Sequence, residues 1–184
     1  MCPSLAHNDE ELRESLAPLT KRTLRLCHTE GMARHIENLA ALKALVGEHI
    51  GYSEYLEIDQ ARVQLFADAT GDQQWIHTDP ERAKAQSPFG GPIAHGYLTL
   101  SLGPVLLPQI FSVGGIAMGV NYGANKVRFM SPVPVGSQLR AGVKVLAVDD
   151  ISGGAQVTLE TTFEVQGAAK PSCIAEVIFR YYSA

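Results

Sequence analysis

Asp72 stands five residues before His77 in the run Phe66-Ala67-Asp68-Ala69-Thr70-Gly71-Asp72-Gln73-Gln74-Trp75-Ile76-His77-Thr78-Asp79, immediately after what reads as the end of an amphipathic helix. A carboxylate and an imidazole brought together can hold one water between them. One group takes its proton while the other positions it or returns a proton elsewhere. The reaction this suits is the addition or removal of water. Downstream, Phe89-Gly90-Gly91-Pro92-Ile93-Ala94-His95-Gly96-Tyr97-Leu98 supplies a glycine-rich loop that runs into an apolar helix. The first N–H groups of that helix have no partner within it and are free to bind an oxyanion.

These segments resemble the MaoC-like dehydratases, which include the (R)-specific enoyl-CoA hydratases and the nodulation-protein-N-like group. That family carries a Gly-Asp-x-Asn-Pro-hydrophobic-His core, then Phe-Gly and hydrophobic-x-His-Gly. A strand reading hydrophobic-x-Arg-Phe, a proline and a Pro-x-Gly turn follow. The counterparts here are Gly71-Asp72 with Ile76-His77, Phe89-Gly90, Ile93-Ala94-His95-Gly96, and Lys126-Val127-Arg128-Phe129-Met130-Ser131-Pro132-Val133-Pro134-Val135-Gly136. The resemblance runs from about Leu39 to the C-terminus. Gln74-Trp75 replaces the Asn-Pro pair, a departure shared with a similar Gln-Trp-Ile-His run in the nodulation-protein-N-like branch. The resemblance implies a hotdog fold, (R) stereochemistry and no cofactor.

Each residue has a plainer reading as well. Alone, Asp72 after a glycine suits a helix C-terminal turn, and His77 alone suits a packing histidine. Taken with Gly71, Phe89 and His95-Gly96 around them, the pair reads as catalytic. Gly96 either packs closely against a strand or lets its N–H polarise a thioester carbonyl with no Cβ in the way. His95 either shapes the loop or hydrogen-bonds substrate, and Gln74 and Trp75 either shape an acyl pocket or pack. Lys126 and Arg128 alternate along a strand and share a face, where they meet coenzyme A phosphates or solvent. Asn121 and Asn125 suit an edge or a bulge unless one reaches the site. His77-Thr78-Asp79 supplies part of a facial metal triad with Asp72, but the set needs a further histidine and Asp79 reads as a helix cap, so no metal is assigned.

The elements that must position these groups follow from pattern. Asn8 with Glu11 reads as a capping pair ahead of a short helix bearing Leu12, Leu16 and Leu19. A second helix is expected from about Thr29 to Val46, with Met32, Ile36, Leu39, Leu42 and Leu45 on one stripe and Gly47 as its stop. Residues 1–38 are therefore read as an N-terminal helical extension to a domain spanning 39–184. Glu48 to Ile58 reads as extended, Asp59 caps a helix carrying Val63, Phe66 and Ala67, and Asp79-Pro80-Glu81 opens a short helix to about Ala85. Ala94 to about Ile110 is apolar nearly all round, as expected of a helix buried on every side, with Pro104 and Pro108 to kink or end it. Four strands follow, at Ile116–Met130, Gln138–Val148, Gln156–Val165 and Ser172–Tyr181. The class is α+β, an antiparallel sheet wrapped around a long central apolar helix.

Composition removes other functions. A net charge of −4 over 184 residues gives no broad field for nucleic acid, and no apolar window reaches membrane-spanning length. Cys2, Cys27 and Cys173 are scattered thiols without metal or disulfide spacing. The start lacks a basic segment followed by an apolar one, so a cytoplasmic location is expected. The function expected is a hydro-lyase that interconverts trans-2-enoyl and (R)-3-hydroxyacyl thioesters, on coenzyme A or an acyl carrier protein, as a homodimer sharing a continuous sheet. The alternatives are a hotdog acyl-CoA thioesterase and a non-catalytic acyl-thioester-binding protein.

Overall fold

The computed structural model describes residues 33–184. In chain order it contains β1 (Arg34–Ile36), α1 (Leu39–Lys43), β2 (His49–Tyr52), β3 (Leu56–Ile58), α2 (Gln60–Thr70), α3 (Trp75–Thr78) and α4 (Pro80–Gln86). It continues with α5 (Gly96–Ser101), α6 (Gly103–Ile110), β4 (Phe111–Val113), β5 (Ile116–Phe129), β6 (Ser137–Ile151), β7 (Gly154–Val165) and β8 (Cys173–Ser183). The helix expected after Asn8 lies outside the described residues.

The main sheet is antiparallel with the order β2-β6-β7-β8-β5, and β3 also pairs with β6. Its strands form because apolar residues recur every second position, which turns one face of the pleat inward. On β7, Ala155, Val157, Leu159, Thr161 and Phe163 are buried while their neighbours are partly exposed. Leu139, Ala141, Val143 and Val145 are buried at alternate positions on β6, with Gly142 buried between two of them. The β6–β7 link needs only Ser152 and Gly153, and Gly153 takes a φ of 76° that a Cβ would oppose. Leu106, Leu107 and Ile110 of α6 press into this inward face and share one core with it. The result is the α+β hotdog arrangement. No described helix is long and apolar enough to cross a membrane.

Two expected helices differ. The helix expected over residues 29–46 is, within the described residues, a strand and one short helix. Arg34–Ile36 pairs in parallel with Phe111–Val113 and buries Ile36, and Asn38 then starts α1 by accepting a hydrogen bond at Oδ1 from Ala41 N. Asn38 competes for helical N–H groups as a cap, so the apolar stripe preceding it cannot continue through as helix. Residues 34–38, grouped with the extension in the sequence, thus belong to the domain's pairing and core. The single central helix is also broken into α5 and α6. Pro104 has no N–H to give to the carbonyl of Leu100, so the ladder fails there and α6 starts afresh with proline in its first turn. Nor is it covered on every side, since Tyr97 and Val105 are 70% and 52% exposed.

Candidate active site

Helix α2 delivers the acid. Asp59 caps it, accepting from Arg62 N at 2.7 Å, and its C-terminus closes at Gly71, whose φ of 78° is the left-handed turn that ends the helix. Asp72 follows directly, its Oδ1 accepting weakly from Gln74 N at 3.4 Å and its side chain 55% exposed. The carboxylate is therefore free to turn toward a ligand.

His77 is delivered by α3, a single turn that the sequence does not announce. The Gln74 carbonyl accepts from His77 N at 2.9 Å, and Gln60 of α2 donates to the His77 carbonyl at 2.7 Å. Two bonds then tie this turn to the glycine-rich loop: Ile93 N donates to Ile76 O at 3.0 Å, and His77 Nδ1 lies 2.6 Å from Ile93 O. A carbonyl can only accept, so Nδ1 carries the proton and Nε2 keeps a bare lone pair. His77 is 6% exposed. Burial lowers its pKa below the usual imidazole value, and the neighbouring His95 pushes the same way. The Ile93 bond and the Asp72 charge oppose them. At neutral pH the ring is an uncharged base.

His95 stands behind this pair. Its ring is 3% exposed and stacks on His77 with centroids 3.8 Å apart. Its Nε2 donates to the backbone carbonyl of Asp72 at 3.0 Å and lies 4.0 Å from the carboxylate. His95 thereby holds the main chain that carries the acid. One ligand atom each from Asp72, His77 and His95 falls within 4.8 Å of the others, so the third group near the pair is His95. Asp79 is used elsewhere, capping α4 by accepting from Arg82 N at 3.0 Å. Each ring spends one nitrogen on a backbone carbonyl, and the remaining Nδ1 of His95 is sealed from solvent, a poor donor set for a metal.

A cleft of about 310 Å³ opens beside His77, lined by Phe89, Ile93, Gly96, Thr99, Phe129, Met130 and Ser172 among others. Gly96 begins α5, and a Cβ there would sit 3.0 Å from Cγ of Phe129 on β5. The glycine thus permits the close approach of helix and strand at the cleft wall, as its plainer reading held. Gln74 caps α3 through its backbone and is not on this wall, and Trp75 packs under the Arg82 guanidinium, 4.5 Å from the ring centre. Lys126 and Arg128 flank the inward-facing Val127 on β5 but are not on the wall either. Lys126 pairs with Glu176 at 2.7 Å and Arg128 donates to Val127 O. Asn121 lines a second pocket of about 290 Å³, with Leu100, Gly103, Thr161 and Phe179. The sequence did not single out Thr99, Phe129, Met130 or Ser172 as site residues. Phe129 and Met130 lie within the Arg-Phe motif, where the sequence signals cations rather than an apolar wall.

His77 lines an apolar cleft, Asp72 is not on its wall but brings a carboxylate oxygen within 4.8 Å of the ring, and the sheet wrapped around paired helices that carries them is a hotdog fold. A profile described as MaoC like domain matches residues 41–167, and the chain belongs to that family. It is 54% identical over 149 residues, 80% of this chain and 98% of the relative, to 3-hydroxyacyl-thioester dehydratase Z of Mycobacterium tuberculosis (strain ATCC 25618 / H37Rv). Nodulation protein N of Rhizobium leguminosarum bv. viciae is 43% identical over 150 residues, covering 78% of this chain and 91% of that protein. Among solved structures, the unliganded R-hydratase PhaJ1 of Pseudomonas aeruginosa superposes with a TM-score of 0.63 at 25% identity, over 80% of this chain and 86% of that one.

Proposed function

We propose that this protein is a hydro-lyase that interconverts trans-2-enoyl and (R)-3-hydroxyacyl thioesters carried on coenzyme A. The observation that carries the reading is His77: an uncharged ring lining the cleft, with Nδ1 committed to Ile93 and Nε2 free, and an Asp72 carboxylate oxygen within 4.8 Å. The dehydratase and hydratase names of its relatives support the same reaction. In the hydration direction, Asp72 and His77 hold a water whose proton the pair removes as its oxygen adds at C3. The thioester oxygen takes up the electron density at the N–H of Gly96, and a proton returns to C2. In dehydration the same groups act in reverse.

The chemistry belongs to the motif-bearing domain, which includes the β1 segment Arg34–Ile36. A second copy completes the assembly along β5, the sheet edge that among the described residues pairs with β8 alone. That strand runs for 14 residues and exposes Met118, Val120 and Tyr122, a length of open apolar edge that soluble proteins cover. A reducing, cytoplasmic setting suits Cys173, a buried free thiol whose pKa burial pushes up to about 11. Adding crotonyl-CoA and following the loss of its conjugated absorbance, with chiral analysis of the product, tests the reaction and its hand.

A further inference from the structure

We infer that Ser172 supplies a hydrogen bond to the thioester oxygen of the substrate, as a donor additional to the Gly96 N–H. This rests on the hydro-lyase reading above. Five buried side-chain atoms have no hydrogen-bond partner among the described residues: Gln60 Oε1, Arg62 Nε, His95 Nδ1, Thr161 Oγ1 and Ser172 Oγ. Of these residues, Ser172 lines the cleft beside His77, and it is only 2% exposed. Buried hydroxyls are almost always paired, so an unpaired one on a residue that lines a ligand cleft is a candidate donor to the ligand, reached by a turn about its own Cα–Cβ bond.

The main chain of Ser172 is already engaged. Its N–H donates to Phe163 O at 2.8 Å and its carbonyl accepts from Met130 N at 2.9 Å. The backbone thus fixes the residue between β7 and the end of β5 whatever the side chain does. Removing the hydroxyl breaks no bond within the described residues, so the side chain has no evident structural partner. The same wall carries Gly96. Phe129, which meets the missing Cβ of Gly96 at 3.0 Å, is in register with Cys173, the residue after Ser172.

The chemistry selects the atom. The reacting end of an enoyl or 3-hydroxyacyl thioester offers two polar centres, the oxygen at C3 and the thioester oxygen. The C3 oxygen belongs to Asp72 and His77. The thioester oxygen is left for the part of the wall that Gly96 and Ser172 line, and it gains negative charge as oxygen adds at C3. A hydroxyl donor there is worth more in the transition state than in the bound substrate.

Ser172→Ala in the full chain tests this. With crotonyl-CoA, kcat should fall on the order of 10- to 100-fold while KM stays within about threefold. The melting temperature should hold or rise, because an unpaired buried hydroxyl has been removed. A second readout needs no turnover: the infrared carbonyl stretch of bound butyryl-CoA should lie lower in the wild type than in Ser172→Ala. An unchanged kcat, a change confined to KM, a loss of activity that tracks a lower melting temperature, or an identical carbonyl stretch overturns the assignment. A wild-type protein that does not hydrate crotonyl-CoA overturns the hydro-lyase reading instead, and the butyryl-CoA comparison still decides Ser172.

Discussion

His77 donates from Nδ1 to the carbonyl of Ile93 across 2.6 Å, and this bond decides which nitrogen can act. It also joins the two segments that carry the site's chemistry, since Ile93 lies in the loop leading to Gly96. The main-chain bond from Ile93 N to Ile76 O repeats the tie. These two bonds tie the His77 ring and the segment leading into α5 together.

Asp72→Asn should lower turnover on the order of 100-fold or more with little change in melting temperature, because the carboxylate is exposed and makes one weak backbone contact. His77→Ala should lower turnover by as much, and should also destabilise by about 1–3 kcal/mol, because it leaves the Ile93 carbonyl without its partner. Crotonyl-CoA hydration and thermal melting of both variants check this. Wild-type rates in either variant remove that residue from the mechanism.

The pH dependence has a definite sign. Folding lowers the His77 pKa below 6.5, so the unfolded chain binds its proton at a higher pH than the folded one. This residue's contribution to stability is full above about pH 6.5 and is lost as pH falls from there to the folded value. The active base is the neutral ring, so the acid limb of kcat/KM should have its midpoint below 6.5. A profile of kcat/KM against pH measures it, and a midpoint above 6.5 contradicts the assignment of His77 as the base.

The motif residues were legible because each sits beside a local signal. Asp59 and Asp79 act as the caps they were read to be, and Gly71 turns the chain at Asp72. The four long strands showed in their period of two. What the sequence did not show depends on distant partners. Ile36 reads as part of a helical stripe, yet its segment is held as strand by residues near Phe111. Thr99 and Ser172 are ordinary small polar residues until the fold sets them in one cleft wall. His95 looked equally able to bond substrate or shape a loop, and its placement behind His77, bonded to the Asp72 carbonyl, is a product of the α2 and α5 ends meeting.

Gly96→Ala should reduce turnover at least about tenfold, because its methyl group would press on the Phe129 ring and shift the wall that presents the N–H. Valine is a poorer test, since its larger side chain disturbs the same contact further. Lys126→Ala and Arg128→Ala leave kcat unchanged and, if their side chains meet coenzyme A phosphates in the assembly, raise KM. Steady-state kinetics of the three variants separates the effects, and a fully active, folded Gly96→Ala contradicts the requirement for a Cβ-free approach at this wall.

Met118→Asp puts a charge on the exposed β5 edge and should convert a dimer to monomer without unfolding the sheet, because Met118 is 53% exposed within one chain. Light scattering after size exclusion reads the mass directly. A wild-type monomer, or a Met118→Asp dimer of unchanged affinity, contradicts pairing along this edge.

The most direct test of the central claim is the fate of crotonyl-CoA with the wild-type protein, followed at once by enoyl absorbance and by a thiol reagent. The proposed chemistry predicts that the conjugated absorbance falls to an equilibrium level, that (R)-3-hydroxybutyryl-CoA accumulates, and that no free thiol appears. Release of thiol would make the protein a thioesterase. Binding of crotonyl-CoA with neither signal would make it a non-catalytic carrier, and either result contradicts a hydro-lyase built on Asp72 and His77.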